Sequence, residues 1–117
     1  LGALDFGLLV DGAVVVVGSP ASRQGAAGSL PFAAAKAAQR GIAESMAKEL
    51  WPGHIHVALL VIDGVLDLPP TRARMPDRPT ATFVDPVAVA DGVLYLAQQP
   101  ASAWTFESVV RPAVVPG

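Results

Sequence analysis

The sequence contains no cysteine and no asparagine, and its only tyrosine is Tyr95. The absence of cysteine excludes disulfides and thiolate chemistry and fits a reducing compartment, so a cytoplasmic location is expected. Charged residues make up 15% of the chain, with a net charge of −2 and no block of like charge. This balance does not provide the basic surface that nucleic acids or anionic membranes attract. We therefore expect no nucleic-acid or membrane partner.

The chain also lacks a long apolar run, although 52% of its 117 residues are hydrophobic. The nearest, "GLLVDGAVVVVG", is interrupted by Asp11 and glycine and falls short of the roughly 18 residues that a membrane helix needs. The first residues contain neither a basic signal start nor a methionine, so we expect further residues upstream of Leu1. The length and composition predict one globular domain, residues 1–117.

Two apolar runs predict strands that are buried on both faces. "AVVVV" (13–17) and "IHVALLVI" (55–62) are rich in β-branched residues and lack clear polar alternation, as is typical of a parallel sheet. A third, short strand is predicted at "SVV" (108–110). Residues 1–11 fit either a helix or a strand, and the end of a helix that stops at Gly12 is favoured.

Two long helices are predicted between these strands. Pro31 suits a first helical turn, and the helix should end near Leu50, before "WPGH". Asp85 and Pro86 predict the start of the second helix, which ends before Pro100. Residues 63–84 are predicted to form a long loop rich in proline and arginine. The expected fold is α/β, a partial, Rossmann-like, doubly wound parallel sheet of about three strands with two long helices.

An ordered series of motifs follows the first predicted strand. Ser19 ends that strand, and "FAAAK" begins thirteen residues later at Phe32. "AAQRGIAESMAKEL", "HIHVALLVIDG" and "VDPVAVADGVLYL" then follow in order. Over about residues 12–112 this pattern resembles the C-terminal half of the short-chain dehydrogenase/reductase family, in which a serine precedes Tyr-x-x-x-Lys on a helix. The resemblance implies an oxidoreductase that uses NAD or NADP and acts on a small carbonyl or alcohol substrate.

The resemblance implies roles for three catalytic positions. Ser19 would hold the carbonyl oxygen, Phe32 occupies the position of the proton-donating tyrosine, and Lys36 would bind the nicotinamide ribose. Residues four apart on a helix share a face, which is why the ring and the lysine belong together. The alternatives are that Ser19 caps the loop, that Phe32 is a core aromatic, and that Lys36 is an exposed helix lysine.

The resemblance also implies a cofactor-binding turn after the second predicted strand. Its residues would present backbone groups to a nicotinamide amide, and the alternative is a tight turn without such a role; they are Asp63, Gly64 and Val65. Asp63 replaces the usual proline of this turn, and Leu68 replaces the threonine that contacts the cofactor.

Other departures bear on activity. Phe32 has no proton to give, the helix-borne active-site asparagine is absent, and no Gly-x-x-x-Gly-x-Gly turn is present to approach a dinucleotide pyrophosphate. The chain therefore lacks the N-terminal dinucleotide-binding half, and these residues alone are not expected to bind NAD(P). A non-catalytic pseudoenzyme or a dimerisation module is the alternative function.

Several other residues carry weaker signals. His54 and His56 would share a strand face, but no third ligand accompanies them, so a structural role is favoured over zinc and no metal site is predicted. Trp51 and Trp104 follow helix ends and should pack there. Three arginines in the long loop could meet a phosphate or a carboxylate, or lie in solvent: Arg72, Arg74 and Arg78.

Assembly can be anticipated from two surfaces. The "AVVVV" strand would be an unpaired sheet edge, and the alanine-rich first helix presents a thin face. In the resembled family the corresponding helix forms dimers. We therefore expect a homo-oligomer or docking onto an N-terminal half, rather than a free monomer.

Overall fold

The computed structural model describes residues 6–10 and 12–114, with side chains from residue 12 onward. In chain order the helices and strands are β1 (Phe6–Val10), β2 (Ala13–Gly18), α1 (Leu30–Leu50), β3 (His56–Ile62), β4 (Val65–Leu66), α2 (Pro69–Arg74), β5 (Phe83–Val84), α3 (Pro86–Ala97) and β6 (Glu107–Val110).

The main sheet has the strand order β1-β2-β3-β6. Strands β2, β3 and β6 are parallel, and α1 and α3 form the crossovers between them. The prediction of three parallel strands and two long helices in a partial Rossmann-like fold is confirmed. Helix α1 begins at Leu30 and ends at Leu50, and β6 is one residue longer than predicted.

The core lies on both faces of the sheet, which explains the unbroken apolar runs of β2 and β3. On one face, Val16 and Leu59 pack with Ala43 and Ala47 of α1. On the other face, Leu60 packs with residues of α3 that include Val93. Because successive strand residues point to opposite faces, each run must be apolar throughout to be covered on both sides.

The prediction that residues 1–11 form the end of a helix is wrong over Phe6–Val10, because β1 is a strand that pairs antiparallel with β2. Residues 1–5 and 11 lie outside the described residues. Val10 pairs with Ala13, so only Asp11 and Gly12 separate the two strands. An Asp-Gly pair between apolar runs favours a two-residue hairpin, and Gly12 adopts a positive φ of 81°. The β2 edge that was expected to be unpaired is therefore covered by β1.

Residues 63–84 do not form the single long loop that was predicted. They contain β4, the short helix α2 and β5, and the two strands form a parallel pair of their own. Val65 pairs with Phe83, and Leu66 pairs with Val84. Two adjacent prolines, Pro69 and Pro70, occupy the first turn of α2, where a missing N–H removes no helical hydrogen bond.

The helices within residues 12–114 include none that is both long and apolar enough to cross a membrane.

Candidate active site

An open cavity of about 430 Å³ lies at the carboxyl ends of β2 and β3. The loop after β2, the first turns of α1, and the segment from β3 to α2 supply its walls. Five of the six positions singled out from the sequence line it: Ser19, Phe32, Lys36, Gly64 and Val65. The sixth, Asp63, lines a neighbouring cavity.

Ser19 both caps a turn and faces the cavity. Its hydroxyl oxygen accepts a hydrogen bond from the Ala21 N–H at 3.2 Å, at the start of a 3₁₀ turn over Pro20–Ser22. The Ser19 N–H donates in return to the Ser22 hydroxyl at 3.3 Å. Since the oxygen of Ser19 acts as an acceptor here, its O–H proton can be directed at a second acceptor, such as a carbonyl oxygen.

Lys36 is not an exposed helix lysine, because only 7% of its surface is accessible. Its ammonium group lies 3.4 Å from the Val17 carbonyl oxygen and 3.4 Å from Gln39 Oε1. These contacts hold the charge between α1 and the end of β2. A buried ammonium requires such partners, since desolvation without them is costly.

Phe32 is not a core aromatic, because 47% of its surface is exposed. The ring lies on the cavity wall, one turn before Lys36, and its centre is 5.8 Å from the Lys36 ammonium nitrogen. This distance is within the range of a cation–π contact. The ring therefore occupies a ligand-accessible position but has no hydroxyl to offer.

The turn after β3 combines a steric requirement with a lining role. A Cβ on Gly64 would lie 2.7 Å from Val84 Cγ2, so close packing against β5 explains the glycine. The Asp63 N–H donates to the Val110 carbonyl at 2.8 Å and is already used within the fold. The Asp63 carboxylate lies 3.4 Å from Arg111 Nε. Gly64 and Val65 line the cavity, whereas Asp63 points elsewhere.

Thr71 of α2 is a cavity residue that was not found from the sequence. Its hydroxyl accepts a hydrogen bond from the Leu68 N–H at 3.1 Å, and its proton can serve the carbonyl of Leu66 or of Leu68. Leu68 also lines the cavity. Two prolines followed by Thr71 indicate the start of a helix in the sequence. Only the fold shows that this threonine lies in the cavity.

The three arginines that were considered as ligands for a phosphate or a carboxylate mainly stabilise the local fold. Arg72 binds Asp67 through two hydrogen bonds of 2.6 and 2.9 Å, and this pairing lowers the pKa of Asp67 while raising that of Arg72. The Arg72 guanidinium also lies over the Phe83 ring at 4.4 Å, and that of Arg78 lies 5.4 Å from the same ring. Thus the carboxylate that Arg72 meets is internal. Arg74 is exposed.

The two histidines do not share a strand face. His54 precedes β3 and is exposed, with a positive φ of 65°. His56 is 2% exposed, and its ring stacks on Trp104 at 4.7 Å while Trp51 meets it edge-on at 5.6 Å. Its Nε2 lies 2.7 Å from the Thr105 carbonyl. The two tryptophans, which were expected to pack at helix ends, pack against each other, with ring centres 5.4 Å apart.

No group of three or more histidine, aspartate or glutamate side chains within residues 12–114 is arranged to hold a metal ion.

The parallel sheet, its helical crossovers and the cavity at the strand ends define the class: an α/β protein with half of a doubly wound fold. The family model described as short chain dehydrogenase matches residues 9–75, more than half of the chain. The chain therefore belongs to the short-chain dehydrogenase family.

Solved structures agree with this assignment. A short-chain dehydrogenase from Rhodopseudomonas palustris is 41% identical, with a TM-score of 0.64 over 86% of this chain and 38% of that chain. Two further structures have low sequence identity, so they show a similarity of fold and nothing more. An alcohol dehydrogenase from the archaeon Thermococcus sibiricus, complexed with 5-hydroxy-NADP, has 18% identity and a TM-score of 0.65, with 86% of this chain and 42% of that chain covered. An actinorhodin polyketide ketoreductase with NADPH has 22% identity and a TM-score of 0.67, with 86% and 46% covered.

The chain thus spans about two fifths of the length of these structures. A comparison with curated proteins gave no match.

Proposed function

We propose that this chain forms the catalytic half of an NAD(P)-dependent oxidoreductase that acts on a small carbonyl or alcohol substrate. One observation carries the proposal: Ser19, Phe32 and Lys36 line one cavity together with the turn at Gly64 and Val65. These residues come from three separate segments of the chain, and the fold brings them to the edge of the sheet where parallel α/β proteins bind ligands.

Ser19 supplies the substrate-orienting group in this proposal. Its oxygen is fixed by the Ala21 N–H, so the hydroxyl proton can point at the oxygen of a carbonyl substrate. A fixed donor of this kind stabilises negative charge that develops on that oxygen. The hydroxyl is not expected to transfer its proton, because its hydrogen bond within residues 12–114 is one that its oxygen accepts from the Ala21 N–H, not one that it donates to a base.

The cavity fits one end of a nicotinamide dinucleotide. Lys36 offers a buried cation for ribose hydroxyls, and the segment at Gly64 and Val65 offers backbone groups for a carboxamide. When bound, the cofactor supplies or accepts hydride. No glycine-rich turn for the pyrophosphate occurs in the sequence, so the remainder of such a cofactor requires residues outside this chain.

Phe32 favours a second candidate, a non-catalytic pseudoenzyme or interaction module that retains the scaffold. Loss of a general acid costs roughly 10²–10⁴-fold in rate. The half-exposed ring shows that the position still faces the cavity, which supports retention of a binding site even if turnover is slow.

The test is a survey of aldehydes and ketones with the full natural polypeptide, following NADH and NADPH oxidation. The proposal expects measurable reduction that Ser19→Ala and Lys36→Ala each decrease, while Lys48→Ala, an exposed lysine on the same helix, does not. Absence of turnover with every carbonyl compound, together with cofactor binding that Lys36→Ala leaves unchanged, would favour the pseudoenzyme.

A further inference from the structure

A second cavity, of about 340 Å³, lies beside the candidate active site. Its lining includes Pro20, the residue after Ser19, and Asp63, the first residue after β3. Val61 and Val109, which pair across β3 and β6, form the apolar part of its wall. The two cavities therefore flank the same two turns at the carboxyl edge of the sheet.

The second cavity contains an excess of hydrogen-bond donors. Arg23 and Arg111 line it together with Gln24. Arg23 Nε lies 3.9 Å from Glu107 Oε2, and Arg111 Nε lies 3.4 Å from Asp63 Oδ2, but neither guanidinium donates a hydrogen bond to any residue in the described part of the chain. Both side chains are about 60% exposed (59% and 61%), so their donors remain accessible to a ligand.

The nearby carboxylates do not cancel this positive charge. Glu107 already accepts two hydrogen bonds from Arg40, at 3.1 and 3.2 Å, and this contact raises the pKa of Arg40. Arg23 is thus a second cation beside Glu107, whose carboxylate is already paired with Arg40. Of the charged side chains that line the cavity, two are arginines, Arg23 and Arg111, and one is a carboxylate, Asp63. The cavity therefore has a local excess of one positive charge in a chain whose net charge is −2.

We propose that Arg23 and Arg111 bind a carboxylate group of the substrate, so that the carbonyl compound oriented by Ser19 is an oxo acid. The planar guanidinium matches the geometry of a carboxylate and can engage it through two parallel hydrogen bonds. The apolar wall formed by Val61 and Val109 suits the short carbon chain that joins the two functional groups. This inference rests on the proposed function, because it identifies the substrate class of that same site.

The test measures binding without turnover, using the full natural polypeptide and no reduced cofactor. The probes are acetoacetate, levulinate and 5-oxohexanoate, each beside its neutral methyl ester, with calorimetry as the readout. At least one oxo acid should bind about tenfold more tightly than its ester, because hydrogen bonds between charged groups exceed neutral ones by that order. Added salt should weaken the acid and not the ester.

Arg23→Gln and Arg111→Gln should each remove most of this preference, and Arg111→Lys should retain part of it by keeping the charge without the planar fork. Arg74→Gln, at an exposed position of α2, is the matched control and should change nothing. Equal binding of acid and ester, or an acid preference that survives both glutamine variants, overturns the proposal. So does tighter binding of a phosphorylated ketone, dihydroxyacetone phosphate, than of every oxo acid.

The two proposals can fail separately. Arginine-dependent binding of an oxo acid without reduction in a subsequent NAD(P)H assay would keep the carboxylate site and refute the reaction. Reduction of neutral ketones at rates equal to those of the oxo acids would keep the reaction and refute the carboxylate site.

Discussion

The Lys36 ammonium nitrogen lies 5.8 Å from the centre of the Phe32 ring, one helical turn further along α1. The lysine is buried, whereas the ring remains half exposed on the cavity wall. A hydroxyl added to this ring would extend from a cavity wall rather than into the core. Under the proposed function, the ring at this position lacks only the hydroxyl group that would donate a proton.

The first prediction concerns the addition of this hydroxyl to the ring. Phe32→Tyr in the full natural polypeptide should raise the rate of carbonyl reduction by roughly 10²-fold, because a positioned proton donor contributes 10²–10⁴-fold. The rate is followed through NAD(P)H oxidation. Lys36→Ala in the Phe32→Tyr background should abolish the gain, since the nearby cation favours release of the phenol proton.

The matched control is Phe106→Tyr, which adds the same hydroxyl near the opposite end of α1, beside Ala47 and Trp51. It should leave the rate unchanged. If Phe32→Tyr gives no gain with any aldehyde or ketone, the cavity has lost the reaction and the pseudoenzyme alternative is favoured.

The sequence predicts the parallel core well because local pattern and tertiary environment agree there. Strands β2 and β3 are apolar on both faces, and both faces are covered. The prediction fails at β1, where apolar spacing fitted two structures and the Asp11–Gly12 hairpin signal was not used. It also fails at β4 and β5, because two-residue strands leave almost no periodicity to detect.

The sequence could indicate which residues line the cavity, but not how buried they are or what they contact. Spacing places Lys36 one turn after Phe32, yet the burial of Lys36 depends on Val17, nineteen residues earlier in the chain. Thr71 was missed because it reaches the cavity only through the direction of α2. Asp63 and Gly64 line different cavities, and the Asp63 carboxylate lies beside Arg111, which is distant in sequence.

The second prediction concerns the cofactor. The isolated 117-residue chain should bind neither NADH nor NADPH at sub-millimolar concentration, because it lacks a backbone turn for the pyrophosphate. Calorimetry provides the measurement, and circular dichroism must first show that the isolated chain is folded. Sub-millimolar binding by the folded chain would refute the argument.

The third prediction concerns the buried ring stack. His56→Ala should lower the free energy of unfolding by about 2–4 kcal/mol, because it removes a ring packed against Trp104 and leaves the Thr105 carbonyl without its partner. Denaturant unfolding measures the change. His54→Gly is the control: it should be neutral or slightly stabilising, because His54 is exposed and has a positive φ. Equal losses for the two variants would contradict this account.

The fourth prediction concerns pH. Hydrogen bonding by Arg72 lowers the pKa of Asp67 below its ordinary value of 3.8 in the folded chain. A group with a lowered folded pKa stabilises the fold above its unfolded pKa and loses that contribution as the pH falls through the folded pKa. Wild-type stability should therefore decline more steeply below about pH 4 than that of Asp67→Asn. Denaturant unfolding from pH 7 to pH 3 measures both slopes, and Asp77→Asn, at an exposed position, should follow the wild type.

The fifth prediction concerns assembly. Strand β1 pairs with β2, so β2 offers no unpaired edge for association. Within the described residues, the outer strands of the sheet are β1 and β6, and α1 carries an exposed stripe formed by Ala34, Ala38 and Ile42. The small side chains of Ala34 and Ala38, four residues apart, permit close contact with another helix. Ile42 is an exposed apolar residue, with 52% of its surface accessible to solvent. We expect the isolated chain to associate with itself, or to dock onto further protein, through α1.

Light scattering coupled to size-exclusion chromatography at micromolar concentration should give a mass of at least twice 12.0 kDa for the isolated chain. Ala38→Glu should shift the mass toward the monomer, because it places a charge in the middle of the stripe and a buried unpaired carboxylate is strongly disfavoured. Ala73→Glu, at an exposed position of α2, introduces the same charge away from α1 and should leave the mass unchanged. A stable monomer that unfolds cooperatively would show that these residues close their own core, and that the α1 stripe faces solvent.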